Sequence, residues 1–191
     1  MKIDKLKAKL KDVFKAEDAE ALGVSRQLLK HYTGTGLIQK TAHGFYRFTG
    51  TESIDFVEII KEKLIMIPSA VVGLKTALQL YDLTEELEPK IHLIVPKENV
   101  PKIKIEDVVL HRYKGDVYKT DVVKINKIPV TSMERTIIDL LKEGASISFI
   151  LKIIETAKHY NKTISTTKLK KLSKIFRTKT KIKQLFEAWI E

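Results

Sequence analysis

One stretch constrains the fold most: Ala16-Glu17-Asp18-Ala19-Glu20-Ala21-Leu22-Gly23-Val24-Ser25-Arg26-Gln27-Leu28-Leu29-Lys30. Ala19 and Leu22 lie one turn apart, so they share a face of a short helix. The small Ala19 lets a second helix cross closely. Gly23 suits the left-handed backbone that ends such a helix, and the apolar Val24 can plug the corner. Ser25 can cap the next helix, because its hydroxyl accepts from a free backbone N–H. In that second helix Leu28, Leu29 and Tyr32 are expected to face the core, with Arg26, Gln27, Lys30 and His31 outward. Gly34-Thr35-Gly36 then reverses the chain. Leu37–Lys40 and Phe45–Phe48 read as a two-stranded hairpin around Thr41-Ala42-His43-Gly44. This order of elements is that of a winged helix-turn-helix.

The chemistry of such a segment is DNA reading. A recognition helix presents its N-terminal residues to major-groove base edges, where arginine suits guanine and glutamine suits adenine. Ser25, Arg26, Gln27, Lys30 and His31 are therefore the expected contacts on the helix. Lys40, His43 and Arg47 are the expected contacts of the hairpin to a phosphate backbone.

Charge agrees with a polyanion partner. The chain has 191 residues and a net charge of +11. Residues 1–50 hold 10 basic and 5 acidic side chains, and residues 146–191 hold 11 and 3, whereas residues 51–95 hold 4 and 8. Both ends are basic and the middle is not, which fits a polyanion at either end. The C-terminal set is Lys168, Lys170, Lys171, Lys174, Arg177, Lys179, Lys181 and Lys183. It reads first as a solvated face, with Leu169, Leu172, Ile175, Phe176, Ile182, Leu185, Phe186 and Trp189 packing inward.

Other classes find no support. Without cysteine, disulfides and thiolate chemistry are excluded. His31, His43, His92, His111 and His159 are scattered without metal-ligand spacing, so no metal is expected unless the fold brings two together. No apolar stretch approaches a membrane span, and the start of the chain, charged and amphipathic, is unlike a signal peptide. A cytoplasmic protein with no membrane partner is the expectation. Phosphate-loop, Gly-x-Ser-x-Gly and His-Glu-x-x-His motifs are missing, as is the Gly-Ser plus paired-aspartate signature of a nucleotidyltransferase. No catalytic residue and no cofactor is assigned.

The expected class is α+β. A winged helix-turn-helix domain (residues 1–50) precedes a mixed α/β domain (residues 51–191) with a helical C-terminal end. A first helix is expected over Lys5–Val13. Gly50-Thr51-Glu52-Ser53 marks the boundary, and Ile54, Val57, Ile60 and Leu64 then repeat at helical spacing. Ser69 is expected to cap a helix reaching Tyr81. Strands are expected at Lys90–Val95, Ile105–Tyr113 and Val117–Ile125. Asn126-Lys127 then turns into Ile128-Pro129-Val130, an edge strand because proline cannot donate to a ladder. Thr131-Ser132-Met133-Glu134 reads as a capping box, with Thr131 the cap and Glu134 three residues on. In the helix it opens, Arg135 and Asp139 are four apart and can pair along the surface. That relationship, more than catalysis, accounts for the Glu134/Arg135/Asp139 cluster. Further helices are expected near 148–160, 166–176 and 179–190.

The order of motifs resembles a known family. After the winged helix come Ile67-Pro68-Ser69-Ala70, Ala77-Leu78 and Tyr81-Asp82-Leu83-Thr84, then Ile91-His92-Leu93-Ile94-Val95-Pro96. Ile128-Pro129-Val130-Thr131 follows and leads into Ser132-Met133-Glu134-Arg135-Thr136-Ile137-Ile138-Asp139-Leu140-Leu141. Over about residues 5–160 this resembles the AbiEi-like antitoxins of type IV toxin–antitoxin and phage-defence systems. The Ser-x-Glu-Arg-Thr-x-x-Asp helix is its most distinctive piece. The resemblance implies an antitoxin and autorepressor that binds repeats in its own promoter. It also implies that the C-terminal part, with Ser132, Glu134, Arg135, Thr136 and Asp139 in its motif, counters a nucleotidyltransferase-like toxin without a stable complex. The chain departs from relatives at His31-Tyr32-Thr33-Gly34, where they often carry more arginine. A regulator with a ligand-sensing C-terminal domain and a DNA-targeted nuclease-like enzyme are the other readings.

Overall fold

A computed structural model describes residues 2–52, 55–86, 88–98, 100 and 103–190. It is mixed α+β, in two compact units. The first runs to Pro68 and includes the described part of a loop ending at Glu106; the second holds Ser69–Val100 and the chain from Asp107 onward. The division therefore falls at Pro68, not near Gly50. Ser53 and Ile54 lie outside the described residues.

In the first unit α1 spans Lys2–Lys9, β1 Val13–Lys15, α2 Ala16–Ala21 and α3 Arg26–Gly34. Strands β2 (Ile38–Ala42) and β3 (Phe45–Phe48) follow, then α4 (Phe56–Met66). Helix α1 stops short of the expected Val13. Val13 and Phe14 instead extend along the free edge of β3, in register with Arg47 and Tyr46, so the sheet has the order β1-β3-β2. A β-branched residue followed by an aromatic one favours this pleated, half-buried surface over a helix end. Phe14 lies 4.9 Å from Phe48, ring centre to ring centre, in a core shared with Ile3, Leu6, Ala19, Val24, Leu29, Tyr32 and Ile38. Leu28 is only partly buried. Between α2 and α3, Gly23 takes φ +85° and Ser25 Oγ accepts from Leu28 N at 3.3 Å. The tight turn between the helices has the backbone and cap that the sequence implied.

Helix α4 belongs with this unit, not with the chain that follows it. Asp55 caps it, accepting from Glu58 N at 3.0 Å. From its second turn Glu62 pairs with Arg47 of β3.

The second unit is built on a five-stranded sheet. In chain order it contains β4 (Val71–Val72), α5 (Leu74–Leu80), β5 (Ile91–Pro96) and β6 (Val108–Tyr113). A 3-10 turn (Gly115–Lys119), β7 (Val122–Ile125), β8 (Ile128–Thr131) and α6 (Met133–Lys142) follow. Helices α7 (Ile147–His159), α8 (Thr166–Ile175) and α9 (Lys179–Ile190) complete it. The sheet order is β6-β5-β4-β8-β7.

Three expectations fail here. The helix expected from Ser69 starts only at Leu74, because Val71 and Val72 are claimed as a strand between β5 and β8. Gly73 at the junction has no room for a side chain: a Cβ there would lie 2.5 Å from Ile94 Cδ1. Residues 115–119 are a 3-10 turn, so β7 is short. Strand β8 is interior, not an edge. Its proline is tolerated for a local reason. Across the two-residue turn Asn126-Lys127, Ile125 faces Ile128, so Pro129 falls at a non-hydrogen-bonded position against Lys124. On the other side β4 meets β8 only at Val130.

Helix α6 is the centre of this unit, with every residue from Glu134 to Leu141 buried. Ile137, Ile138, Leu140 and Leu141 pack with Ile150, Ile153 and Ile154 of α7, Leu169 and Leu172 of α8, and Ile182 and Leu185 of α9. Of the apolar set expected to face inward at the C-terminal end, Ile175 is instead exposed.

Candidate nucleic-acid interface

The Ser25 cap fixes where α3 begins, and so which residues its first turn presents. Ser25, Arg26, Gln27, Lys30 and His31 are all exposed. A capped helix N-terminus adds its own free N–H groups and partial positive charge to that surface. The hairpin presents Lys40 from β2 and His43 from the turn, both exposed. Between these elements lies an open cleft of about 530 Å³, lined by Lys15, Arg26, Lys40 and His43 with Glu17 as the acidic member. Arg26 reaches back to Glu20, Nε to Oε1 at 2.7 Å, yet is still 76% exposed. That tether orients the guanidinium without hiding it.

Arg47 is placed differently from its seven companions. It points to α4, where it pairs with Glu62, and both side chains are largely buried. Burial pushes the Glu62 carboxyl above its usual range, and Arg47 pulls it back. The Arg47 charge is thus spent inside the unit. Glu62, the partner, carried no signal in the sequence beyond its place on an amphipathic helix.

The motif residues of the second unit are structural in their contacts. Ser132, not Thr131, caps α6: its Oγ accepts from Arg135 N at 3.2 Å and it donates to Asp121. Thr131 closes β8, and its hydroxyl lies 2.8 Å from that of Thr136. Glu134 does not fold back onto the cap. Its Oε1 accepts from Ser165 N at 3.0 Å and its Oε2 pairs with Lys168 at 3.0 Å. Burial opposes ionisation of Glu134, but the backbone N–H groups of Ser165 and of Glu134 itself, together with Lys168, outweigh it and hold the carboxyl below its usual range. Lys168 also reaches Asp121 at 3.1 Å. The Arg135–Asp139 pair expected on the surface is fully buried.

The fold does bring two histidines together. His92 on β5 and His111 on β6 stack with ring centres 5.1 Å apart, and Nδ1 of the first lies 2.9 Å from Nε2 of the second. Glu88 lies 4.0 Å from the outer nitrogen of His92, and Glu143 3.7 Å from that of His111. Parallel neighbours β5 and β6 put them side by side, which 19 residues of separation hid.

Residues 1–49 match the family described as the AbiEi antitoxin transcriptional regulators. The AbiEi match takes in all eight positions from Ser25 to Arg47 and ends before α4. No curated protein matches the chain. Among solved structures, the RV2827C protein from Mycobacterium tuberculosis is similar at a TM-score of 0.65 and 11% identity. The alignment covers 90% of this chain and 69% of that one, a likeness of fold. Among the described residues no helix is long and apolar enough to cross a membrane.

Proposed function

We propose that the chain is a cytoplasmic DNA-binding autorepressor and antitoxin. In this reading α2, α3 and the β2–β3 hairpin form a winged helix-turn-helix that binds repeats in the chain's own promoter. The carrying observation is the exposed Arg26-Gln27 pair on the first turn of a capped helix, with Arg26 sharing one cleft with Lys40 and His43. Arg26 and Gln27 read base edges; Lys30, His31, Lys40 and His43 meet phosphates, adding affinity and salt dependence without sequence information. Arg47 has no phosphate role here; it braces the hairpin against α4.

The second unit acts as the antitoxin, countering a nucleotidyltransferase-like toxin. The match of residues 1–49 to antitoxin regulators supports this. Ser132, Glu134, Arg135, Thr136 and Asp139 set its shape from within.

Fluorescence anisotropy with the upstream DNA of its own gene and a scrambled duplex, over a salt series, tests the first half. Preference for the native DNA is expected; equal weak binding to both would refute it. Co-expression with the neighbouring gene tests the second half. Relief of growth arrest is expected, and toxicity unchanged by this chain would refute it.

A further inference from the structure

The second unit holds a basic basin of about 750 Å³ that none of the roles above uses. That volume is in the range of small-molecule pockets. It opens beyond the carboxyl ends of the parallel strands β5 and β6, where open sheets commonly take ligands. Lys97, Arg112, Lys114, Lys142, Arg177 and Lys181 line it, and among the described residues no carboxylate does. They come from four separate parts of the chain. Six cations around one hollow repel one another unless an anion joins them.

The floor carries the second observation. Thr178 immediately precedes α9 and lines the basin; it is 6% exposed, and its Oγ1 is buried with no hydrogen-bond partner. A hydroxyl at a helix start normally caps the first turn. Here the first α9 bond is Ile182 N to Thr178 O, and the Thr178 hydroxyl does not cap the helix. A helix start beside a buried, unbonded hydroxyl offers several donors to one anion. Tyr113 and Phe176 wall the basin. They hold Arg135 between them, its guanidinium 5.0 and 3.8 Å from their ring centres.

We propose that this basin binds a phosphorylated small molecule bearing two or more linked phosphates. One phosphate sits at the start of α9 against Thr178, and the rest are held by Arg112, Arg177 and the lysines of the rim. A duplex is the less favoured occupant, because the orphaned hydroxyl lies in a concave floor rather than on a ridge. The proposal stands on the second unit alone, independent of DNA reading by the first.

Inorganic triphosphate is the probe, titrated calorimetrically into the full chain at fixed ionic strength, with sulfate as control. Saturable binding at one site and a raised Tm are expected. Arg112→Ala with Arg177→Ala should weaken binding about tenfold or more, since charge-assisted bonds are lost. Thr178→Val should weaken it several-fold while leaving the Tm without ligand unchanged or higher, because the buried hydroxyl it removes is unbonded. That variant keeps the test valid should the double variant fold poorly. Lys171→Ala with Lys174→Ala, on the exposed side of α8, should bind as the parent does. Triphosphate binding no tighter than sulfate would overturn the proposal. So would equal loss in the α8 variant, or a random duplex that depends on Arg112 and Arg177 while triphosphate fails to bind.

Discussion

The Nε of Arg135 donates to both carboxylate oxygens of Asp139, at 2.9 and 2.8 Å, with neither side chain reaching solvent. Nη1 donates to the carbonyls of Val117 and Thr120, at 3.0 and 2.8 Å. Tyr113 completes the Asp139 shell, its hydroxyl donating to Oδ1 at 2.9 Å. One guanidinium thus ties α6 to the 3-10 turn and, through Asp139, to β6. Burial pushes the Asp139 carboxyl and the Tyr113 hydroxyl above their usual ranges, with Arg135 opposing in both cases.

Asp139→Ala should cost about 3–5 kcal/mol, because it strands the Arg135 charge in the core. Replacing both residues, Arg135→Met with Asp139→Leu, should cost less than Asp139→Ala alone, since no charge is then left unpaired. Urea denaturation of the parent and both variants is the check. A single variant within about 0.5 kcal/mol of the parent would show that the pair does not hold the unit together.

How far the sequence went is clearest in this helix. The spacing of Ile137, Leu140 and Leu141 fixed its existence and inner face, and the i,i+4 relationship found the Arg135–Asp139 pair. Burial of the pair was illegible, because it is decided by Val117, Thr120 and Tyr113, none of which is within a helical turn of it. The same holds for Glu134. Three residues past Thr131, it fits a capping box in sequence, yet Ser165 and Lys168 draw it away. In the first unit the helix pair was legible because its turn, cap and corner are local. Strand β1 was not, since its partner Arg47–Phe45 register lies across two helices of intervening chain. Nor was the basic basin, whose cations come from β5, β6, α6 and the start of α9.

Arg47 and Lys40 should behave as opposites, although the sequence presents both as wing cations. Lys40→Ala should weaken binding to native and scrambled DNA alike and flatten the salt dependence, by a slope change of about one. Arg47→Ala should leave that slope unchanged and instead destabilise the first unit by about 1–3 kcal/mol, because the partly buried Glu62 loses its partner. Salt-dependent anisotropy and thermal unfolding of both variants separate the two effects. A reduced salt slope in Arg47→Ala would return it to the interface.

For Arg26 and Gln27 the signature is specificity. Each to Ala should cost about 1–3 kcal/mol on the native site and little on random DNA. For Arg26 the tether to Glu20 adds a second expectation. Glu20→Ala frees an exposed guanidinium and should relax base preference at the same position by a smaller amount, with stability scarcely changed because the pair is exposed. Equal losses on specific and random duplexes would reassign both residues to phosphate contact.

The His92–His111 pair sets the acid side of stability. Burial lowers both imidazole pKa values below 6.5; at His92 the neighbouring His111 adds to this, while at His111 Glu143 works against it. The folded state therefore refuses protons that the unfolded chain accepts as pH falls through about 6.5. Stability should be level above about pH 7 and decline on acidification until the folded pair itself titrates. Glu88 and Glu143 at the outer nitrogens soften the decline, and Lys75, bonded to Glu88 at 2.9 Å, sharpens it. Urea midpoints of the parent at pH 5.5 and 7.5, against those of His92→Gln with His111→Gln, read this directly. The variant should lose most of the difference between the two pH values. A parent whose midpoint rises on acidification would reverse the sign and place a charged, not a neutral, pair between β5 and β6.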